Sequence, residues 1–253
     1  MNKFKLNKIR RIILELLYIQ SRKCSSYVKI EFLLKDSPRI DKIDLLNQID
    51  YLKMEGYIKS KKIEDALRKY KREFFVPESC KHLAYRDFPL SIGHDQTISQ
   101  PSTVVSMTEA LDVKEGEKVL EVGTGSGWQA AVLSHLVGDK GKVYTIEILE
   151  DLAEFARSNL KKVGVKNVEV FTGDGSIGLK DKAPFDKIIV TAACPDIPKP
   201  LMDQLKVGGI MVIPVGNLYL QEMYVVRKLK NDVEKKSIGS FMFVPLLGRY
   251  GFK

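Results

Sequence analysis

Lys118-Val119-Leu120-Glu121-Val122-Gly123-Thr124-Gly125-Ser126-Gly127 is the stretch on which the fold of this chain turns. An apolar run ends in an acid and breaks into alternating glycines, after which Trp128-Gln129-Ala130-Ala131-Val132-Leu133 takes helical spacing. The pattern predicts strand, tight turn, helix. Glycines permit positive φ and close approach of a ligand, and the first turn of the new helix offers unpaired N–H groups. Glu147 ends the next apolar run, Val143-Tyr144-Thr145-Ile146, 20 residues past Gly127. There the second strand of such a unit sets an acid against a ribose diol. An ordinary glycine-rich turn needs no such partner.

The glycines read G-x-G-x-G with Trp128 next, so the third glycine of the dinucleotide pattern G-x-G-x-x-G is absent. That points away from NAD and towards S-adenosyl-L-methionine as cofactor. Glu121 then faces the ammonium end of the ligand, and no pyrophosphate has to be cradled.

Downstream, strands and helices alternate. Residues 149–163 read as a helix capped by Gly164, and 167–172 as a strand ending in Gly173-Asp174-Gly175. Residues 185–191 are a strand followed by Ala192-Ala193-Cys194-Pro195, 198–205 a helix, and Gly208-Gly209 open a strand over 210–215. The alternation predicts an α/β fold with a doubly wound, mostly parallel, Rossmann-like sheet. Residues 221–230 and 237–247 have no helix between them and are expected to pair antiparallel at the sheet's edge. A ligand in such a sheet lies across the carboxyl ends of the strands. Four of those ends converge: Glu121 with its glycines, Glu147, Gly173-Asp174-Gly175 and Thr191-Ala192-Ala193. Asp174 is expected to meet an adenine amino group, although Gly-Asp-Gly alone is equally a turn signal.

Upstream, residues 4–20 have a helical period, and Leu45, Leu46, Ile49, Leu52 and Met54 predict a second helix closed by Gly56. A basic loop follows, Lys59-Ser60-Lys61-Lys62. It allows a small winged-helix reading, but a solvated helical cap is the simpler one. Residues 63–75 predict an amphipathic helix stopped by Val76-Pro77. Residues 84–101 show neither period nor low complexity, are dense in Pro, Gly and hydroxyls, and read as an active-site loop. A helix over 102–111 leads to the glycine turn. The expected organisation is a basic, mainly helical extension over 1–43 and an S-adenosyl-L-methionine-binding domain over 44–253. Within that domain 44–101 is helical cap and active-site loop, and 102–253 is the core.

At 253 residues and 44% apolar composition the chain is globular, with no run of about 18 apolar residues to span a bilayer. The amino-terminal apolar patch is interrupted by Glu15 and followed by no small-residue cleavage site, so no signal peptide is expected. Cys24, Cys80 and Cys194 are odd in number and widely spaced, and His82, His94 and His135 are scattered. This is the usage of a reducing, cytoplasmic compartment and not of a metal site. Residues 1–80 hold 19 Lys and Arg against 11 Asp and Glu, whereas the remainder is almost balanced at 22 against 21. The basic excess therefore lies outside the glycine-turn domain.

Several stretches resemble the protein-L-isoaspartate (D-aspartate) O-methyltransferase family, within the class I methyltransferases. They are Asp87-x-Pro89-Leu90-x-Ile92-Gly93 running into Gln96-Thr97-Ile98-Ser99-Gln100-Pro101, the Val119 to Gly127 run, and Gly173-Asp174-Gly175. Ala183-Pro184-Phe185-Asp186, Pro214-Val215-Gly216 and Phe243-Val244-Pro245-Leu246 extend the likeness, which covers about residues 44 to 248. The glycine motif is shared by most class I methyltransferases, whereas the segment from Gln96 to Pro101 is far more specific. Two departures stand out: Asp95 where a second glycine is common, and Trp128 where Tyr is common. Residues 1–40 have no counterpart in short members.

The resemblance implies methyl transfer from S-adenosyl-L-methionine to the free α-carboxylate of L-isoaspartyl residues in age-damaged proteins, with D-aspartyl residues as an optional second substrate. The ester would then return through a succinimide towards aspartate. It also implies an active site at Ser99 with Thr97 and Asp87. The implied cofactor contacts are Gln96, Thr97, Ile98, Ser99, Glu121, Gly123, Thr124, Gly125, Gly127, Glu147, Ile148, Asp174 and Gly175, with no metal. The acceptor is a carboxylate, already ionised at pH 7, so no general base is required and no Ser-His-Asp arrangement is visible. Nothing demands more than a monomer, and no membrane partner is expected. The alternative is a nucleic-acid methyltransferase using the basic front third. It predicts aromatic or Asn-Pro-Pro-Tyr-type base-handling residues after the fourth strand, where the chain has Thr191-Ala192-Ala193-Cys194-Pro195.

Overall fold

The computed structural model describes residues 45–252. The helix read over 4–20 and the extension over 1–43 lie outside them.

Helix α1 (Leu45–Met54) buries Gln48, Ile49 and Leu52, and Gly56 ends it with φ +74°. Helix α2 (Lys61–Lys69) packs on the helix Trp128–Val137 and stops six residues short of the expected end. Burial continues past its end, through Tyr70, Arg72 and Phe75. The helix nevertheless breaks at Tyr70 (φ −105°, ψ 73°), whose carbonyl accepts from Trp128 Nε1 at 2.8 Å. A 3-10 turn, Arg72–Phe74, then directs Arg72 inwards.

The segment expected as a loop contains a β-hairpin, β1 (Leu90–Gly93) and β2 (Gln96–Ile98). His94 and Asp95 form its turn with φ +53° and +57°, the double positive φ of a type I′ connection. Asn-Gly or Asp-Gly normally signals that turn, and strands this short show no readable alternation. Asp95 tolerates the conformation that a glycine adopts freely. Helix α3 (Pro101–Leu111) follows.

Among the described residues the main sheet has seven strands in the order β5-β4-β3-β6-β7-β8-β9. Its members are β3 (Lys118–Val122), β4 (Lys142–Glu147), β5 (Val168–Thr172), β6 (Phe185–Val190), β7 (Leu205–Gly216), β8 (Gln221–Lys228) and β9 (Val233–Phe241). Strands β3 to β7 pair parallel, and β8 and β9 add the antiparallel edge. Helices α4 (Trp128–Val137), α5 (Glu150–Lys162) and α6 (Lys199–Gln204) connect them. From β3 the chain winds outwards through β4 and β5, then returns to β6 on the other side. The crevice therefore opens at the carboxyl end of β3.

Alternate residues bury into two clusters: Val119, Ile189 and Val212 on one face, Leu120, Ile188 and Met211 on the other. Strand β7 begins earlier than expected, at Leu205, and its register against β6 shifts between Phe185 and Lys187. The last strand ends at Phe241, six residues earlier than expected. Beyond it the chain crosses the strand ends: Ala193 N–H donates to Val244 O (2.7 Å) and Leu246 N–H to Ala193 O (2.8 Å).

Candidate active site

Glycines, acids and hairpin meet in one cleft of about 920 Å³ counted out to its open mouth. Of the residues singled out from the sequence, its wall contains Gln96, Thr97, Ile98, Ser99, Glu121, Gly123, Thr124, Gly125, Glu147, Ile148 and Gly175. Asp87, Gly127 and Asp174 stand outside it. The wall also holds Met107 of α3 and Leu152 of α5, whose apolar side chains carry no sequence signal of a ligand. Val244, Pro245, Leu246 and Leu247 close it because the carboxyl-terminal segment crosses the strand ends.

Gly123 leaves β3 at φ +93°, and its carbonyl accepts from Thr191 Oγ1 at 2.6 Å. The same hydroxyl reaches Val122 O at 3.1 Å, joining the ends of β3 and β6. Glu147 clamps the turn from the other side. Its Oε2 accepts from Gly125 N–H (2.9 Å), and its Oε1 accepts from the N–H groups of Ile148 (3.0 Å) and Leu149 (3.2 Å). Gly127 is the residue before α4, and its N–H returns to Thr124 O at 2.9 Å.

Glu121 is 0% exposed, and among the described residues neither carboxylate oxygen has a hydrogen-bond partner. Burial pushes its pKa up to about 8, the Thr145 hydroxyl opposes the shift, and Glu147 adds to it. That hydroxyl is engaged elsewhere, with Thr124 Oγ1 at 2.7 Å. An unpartnered carboxylate at the floor of an open cleft is costly for the protein alone and suited to a cationic ligand group.

The hairpin forms the opposite wall. Its turn reaches α5 through His94 Nε2 and Asp151 Oδ2 at 3.4 Å. Asp87 accepts the Ser102 N–H at 2.8 Å in the first turn of α3, so it shapes the exit from the hairpin instead of entering the cleft. Asp174 is engaged similarly. Its Oδ1 accepts from Ser176 N–H (2.8 Å) and Oγ (2.6 Å), and its Oδ2 from Arg249 N–H (2.8 Å). The partner at Arg249 is 75 residues away, beyond the reach of any local motif.

A family model described as "Protein-L-isoaspartate(D-aspartate) O-methyltransferase (PCMT)" matches residues 45–251. A protein-L-isoaspartate O-methyltransferase of Hyperthermus butylicus is 52% identical over 214 residues, covering 81% of this chain and 89% of the relative. One from Archaeoglobus fulgidus is 56% identical over 194 residues, covering 77% and 89%. A solved structure titled protein-L-isoaspartate O-methyltransferase is 30% identical with TM-score 0.75, covering 82% of this chain and 67% of its own. A Plasmodium falciparum structure, described as a complex with S-adenosyl-L-homocysteine, shares the fold at 24% identity and TM-score 0.73, over 81% of this chain and 99% of its own. On the family match and the level of identity, the chain belongs to the protein-L-isoaspartate (D-aspartate) O-methyltransferase family.

Proposed function

We propose that the protein transfers a methyl group from S-adenosyl-L-methionine to the free α-carboxylate of L-isoaspartyl residues in damaged proteins. The observation that carries this reading is a single cleft with the glycine turn on one wall and Gln96-Thr97-Ile98-Ser99 on the other. The donor set fits the cofactor. Glu121, buried and unpartnered, suits its ammonium group. Glu147 has four acceptor positions, three of them filled by backbone N–H groups, which leaves one for a ribose hydroxyl. Ile148 and Gly175 would flank the adenine, whereas Asp174, engaged by Ser176 and Arg249, stands outside the wall that would receive its amino group. When bound, S-adenosyl-L-methionine supplies an electrophilic methyl group that a carboxylate oxygen takes, leaving a neutral sulfur.

The chain's own contribution is alignment and exclusion of water. Nucleophile and sulfonium carry opposite charges that cancel as the bond forms, so a dry cleft favours the reaction. In-line alignment can supply up to roughly 7–11 kcal/mol. Ser99 Oγ and the backbone amides of 97–99 orient the acceptor carboxylate, and Asp87 fixes the exit of that strand. Selection of isoaspartate rests on shape, since the β-linkage adds a backbone methylene and leaves the α-carboxylate free. An extended acceptor would run along Phe243-Val244-Pro245-Leu246. On that edge Phe243 N–H is taken by Gln221, Pro245 has none, and the Val244 and Leu246 carbonyls accept from Ala193 and Phe252, which leaves the Phe243 and Pro245 carbonyls to receive it.

Nucleic-acid methyl transfer finds no support among the relatives. No helix of the described residues is long and apolar enough to cross a membrane. The reading extends to a monomer in the cytoplasm, with residues 1–43 as an extension outside the family match that begins at residue 45. Ser99→Ala tests the acceptor role. Its kcat on an isoaspartyl peptide should fall roughly tenfold to a hundredfold, as misplacement of a reacting group does, with a much smaller loss of cofactor affinity. Full turnover by the variant would remove Ser99 from the mechanism.

A further inference from the structure

The hairpin that carries the acceptor wall is a two-stranded sheet separate from the main one. Two strands alone are marginally stable in water, so something else must fix this wall at its place over the cleft. Apolar burial of Leu90, Ile92 and Ile98 anchors it without specifying an exact height.

Arg72 lies beneath it, 1% exposed. Its Nη1 donates to the carbonyls of Ala84 (2.9 Å) and Arg86 (3.4 Å). Its Nη2 donates to those of Phe88 (3.1 Å), Ile98 (3.3 Å) and Ser99 (3.0 Å). Five main-chain carbonyls, from both arms of the hairpin segment, thus converge on one planar fork. Its Cζ sits 5.5 Å from the ring of Trp128, the first residue of the helix after the glycine turn. Trp128 is in turn fixed by its bond to Tyr70 O and lines the cleft. One cation therefore ties the cofactor turn to the main chain of Ser99.

Packing alone would be served by an apolar side chain, because burying a guanidinium is costly. A fork of donors in a fixed plane does what an apolar group cannot: it sets the relative positions of carbonyls far apart in sequence. We propose that Arg72 is a positioning residue of the methyl-acceptor site, holding Ile98-Ser99 at the height where Ser99 meets the acceptor carboxylate. This rests on the acceptor role of Ser99 given above.

Arg72→Lys in the full chain tests it, since one ammonium cannot span five carbonyls. Three quantities are read on folded protein: kcat on an isoaspartyl peptide, calorimetric affinity for S-adenosyl-L-homocysteine, and amide hydrogen exchange. The expected result is a kcat loss of about a hundredfold. Affinity for S-adenosyl-L-homocysteine should stay within about threefold, with faster exchange confined to residues 90–99. Arg72→Gln, which keeps part of the donor set, serves if the lysine variant does not fold. Unchanged kcat in a folded variant overturns the proposal. So does equal loss of kcat and product affinity with faster exchange throughout the main sheet, which would mean a general structural role. If the unaltered protein transfers no methyl to the peptide while Arg72→Lys still loosens residues 90–99, the acceptor reading fails and Arg72 merely holds a hairpin.

Discussion

Glu121→Gln is expected to stabilise the ligand-free protein at neutral and higher pH while weakening its binding of S-adenosyl-L-methionine about a hundredfold. The folded-state pKa of Glu121, about 8, lies above the ordinary carboxylate value of 4.5. The folded protein therefore holds a proton that the unfolded chain releases. That contribution is fully present below pH 4.5, is lost as pH rises towards 8, and then levels off. From pH 4.5 to 7 the loss is about 3 kcal/mol, and a glutamine, which does not titrate, is spared it. Thermal unfolding of both proteins between pH 5 and 8 should show the variant's advantage growing with pH. The opposite change in affinity follows because a buried carboxylate paired with an ammonium group is worth roughly 3 kcal/mol to the complex. In the unaltered protein, cofactor binding below pH 8 should release one proton, and the variant should release none at this position. Parallel stability curves for the two proteins would rule out this state of Glu121.

Gly123→Ala should be the most damaging of the single-methyl changes in the glycine turn. Gly123 has φ +93°, and a Cβ there would stand 2.4 Å from Thr191 Oγ1. Thr191 cannot rotate away without giving up its bonds to Gly123 O and Val122 O, which join β3 to β6. Backbone strain and the lost bonds together should cost about 3–5 kcal/mol. Binding of S-adenosyl-L-homocysteine should fall with them, since the turn lines the cleft. Gly125→Ala is the matched control: φ is +52°, within the left-handed helical region, and the nearest atom to an added Cβ is Ile92 Cδ1 at 3.4 Å. Denaturant midpoints and product affinities should therefore separate the two variants clearly. Equal effects would mean that Thr191 is not the constraint.

The parts of the molecule legible in the sequence are those set by local chemistry. Strand β3, the glycine turn, α4 and Glu147 follow from a run of apolar residues, three glycines and an acid at fixed spacing. The parallel order of β3 to β6 follows from the alternation of strand and helix. What escaped the sequence is set by partners far along the chain. Helix α2 stops at Lys69 because Tyr70 O turns to Trp128, 58 residues away. Strand β9 stops at Phe241 because residues 244 and 246 pair with Ala193. The hairpin turn is His94-Asp95, which lacks the glycine that would have signalled it. The acids show the same limit. Glu121, Glu147, Asp87 and Asp174 are all visible as carboxyl groups, but only the structure distinguishes one that is unpartnered from three that bind backbone N–H groups. Arg72 carries no sequence signal, since its five partners are main-chain carbonyls.

The most direct measurement is transfer of labelled methyl from S-adenosyl-L-methionine to two peptides that differ only in an isoaspartyl or a normal aspartyl linkage. Base-labile label on the isoaspartyl peptide alone is the expected result. It would place the free α-carboxylate, and not any carboxylate, as the acceptor. Label on both peptides would contradict selection by shape. Label on neither, with S-adenosyl-L-methionine still bound, would contradict the proposed activity itself.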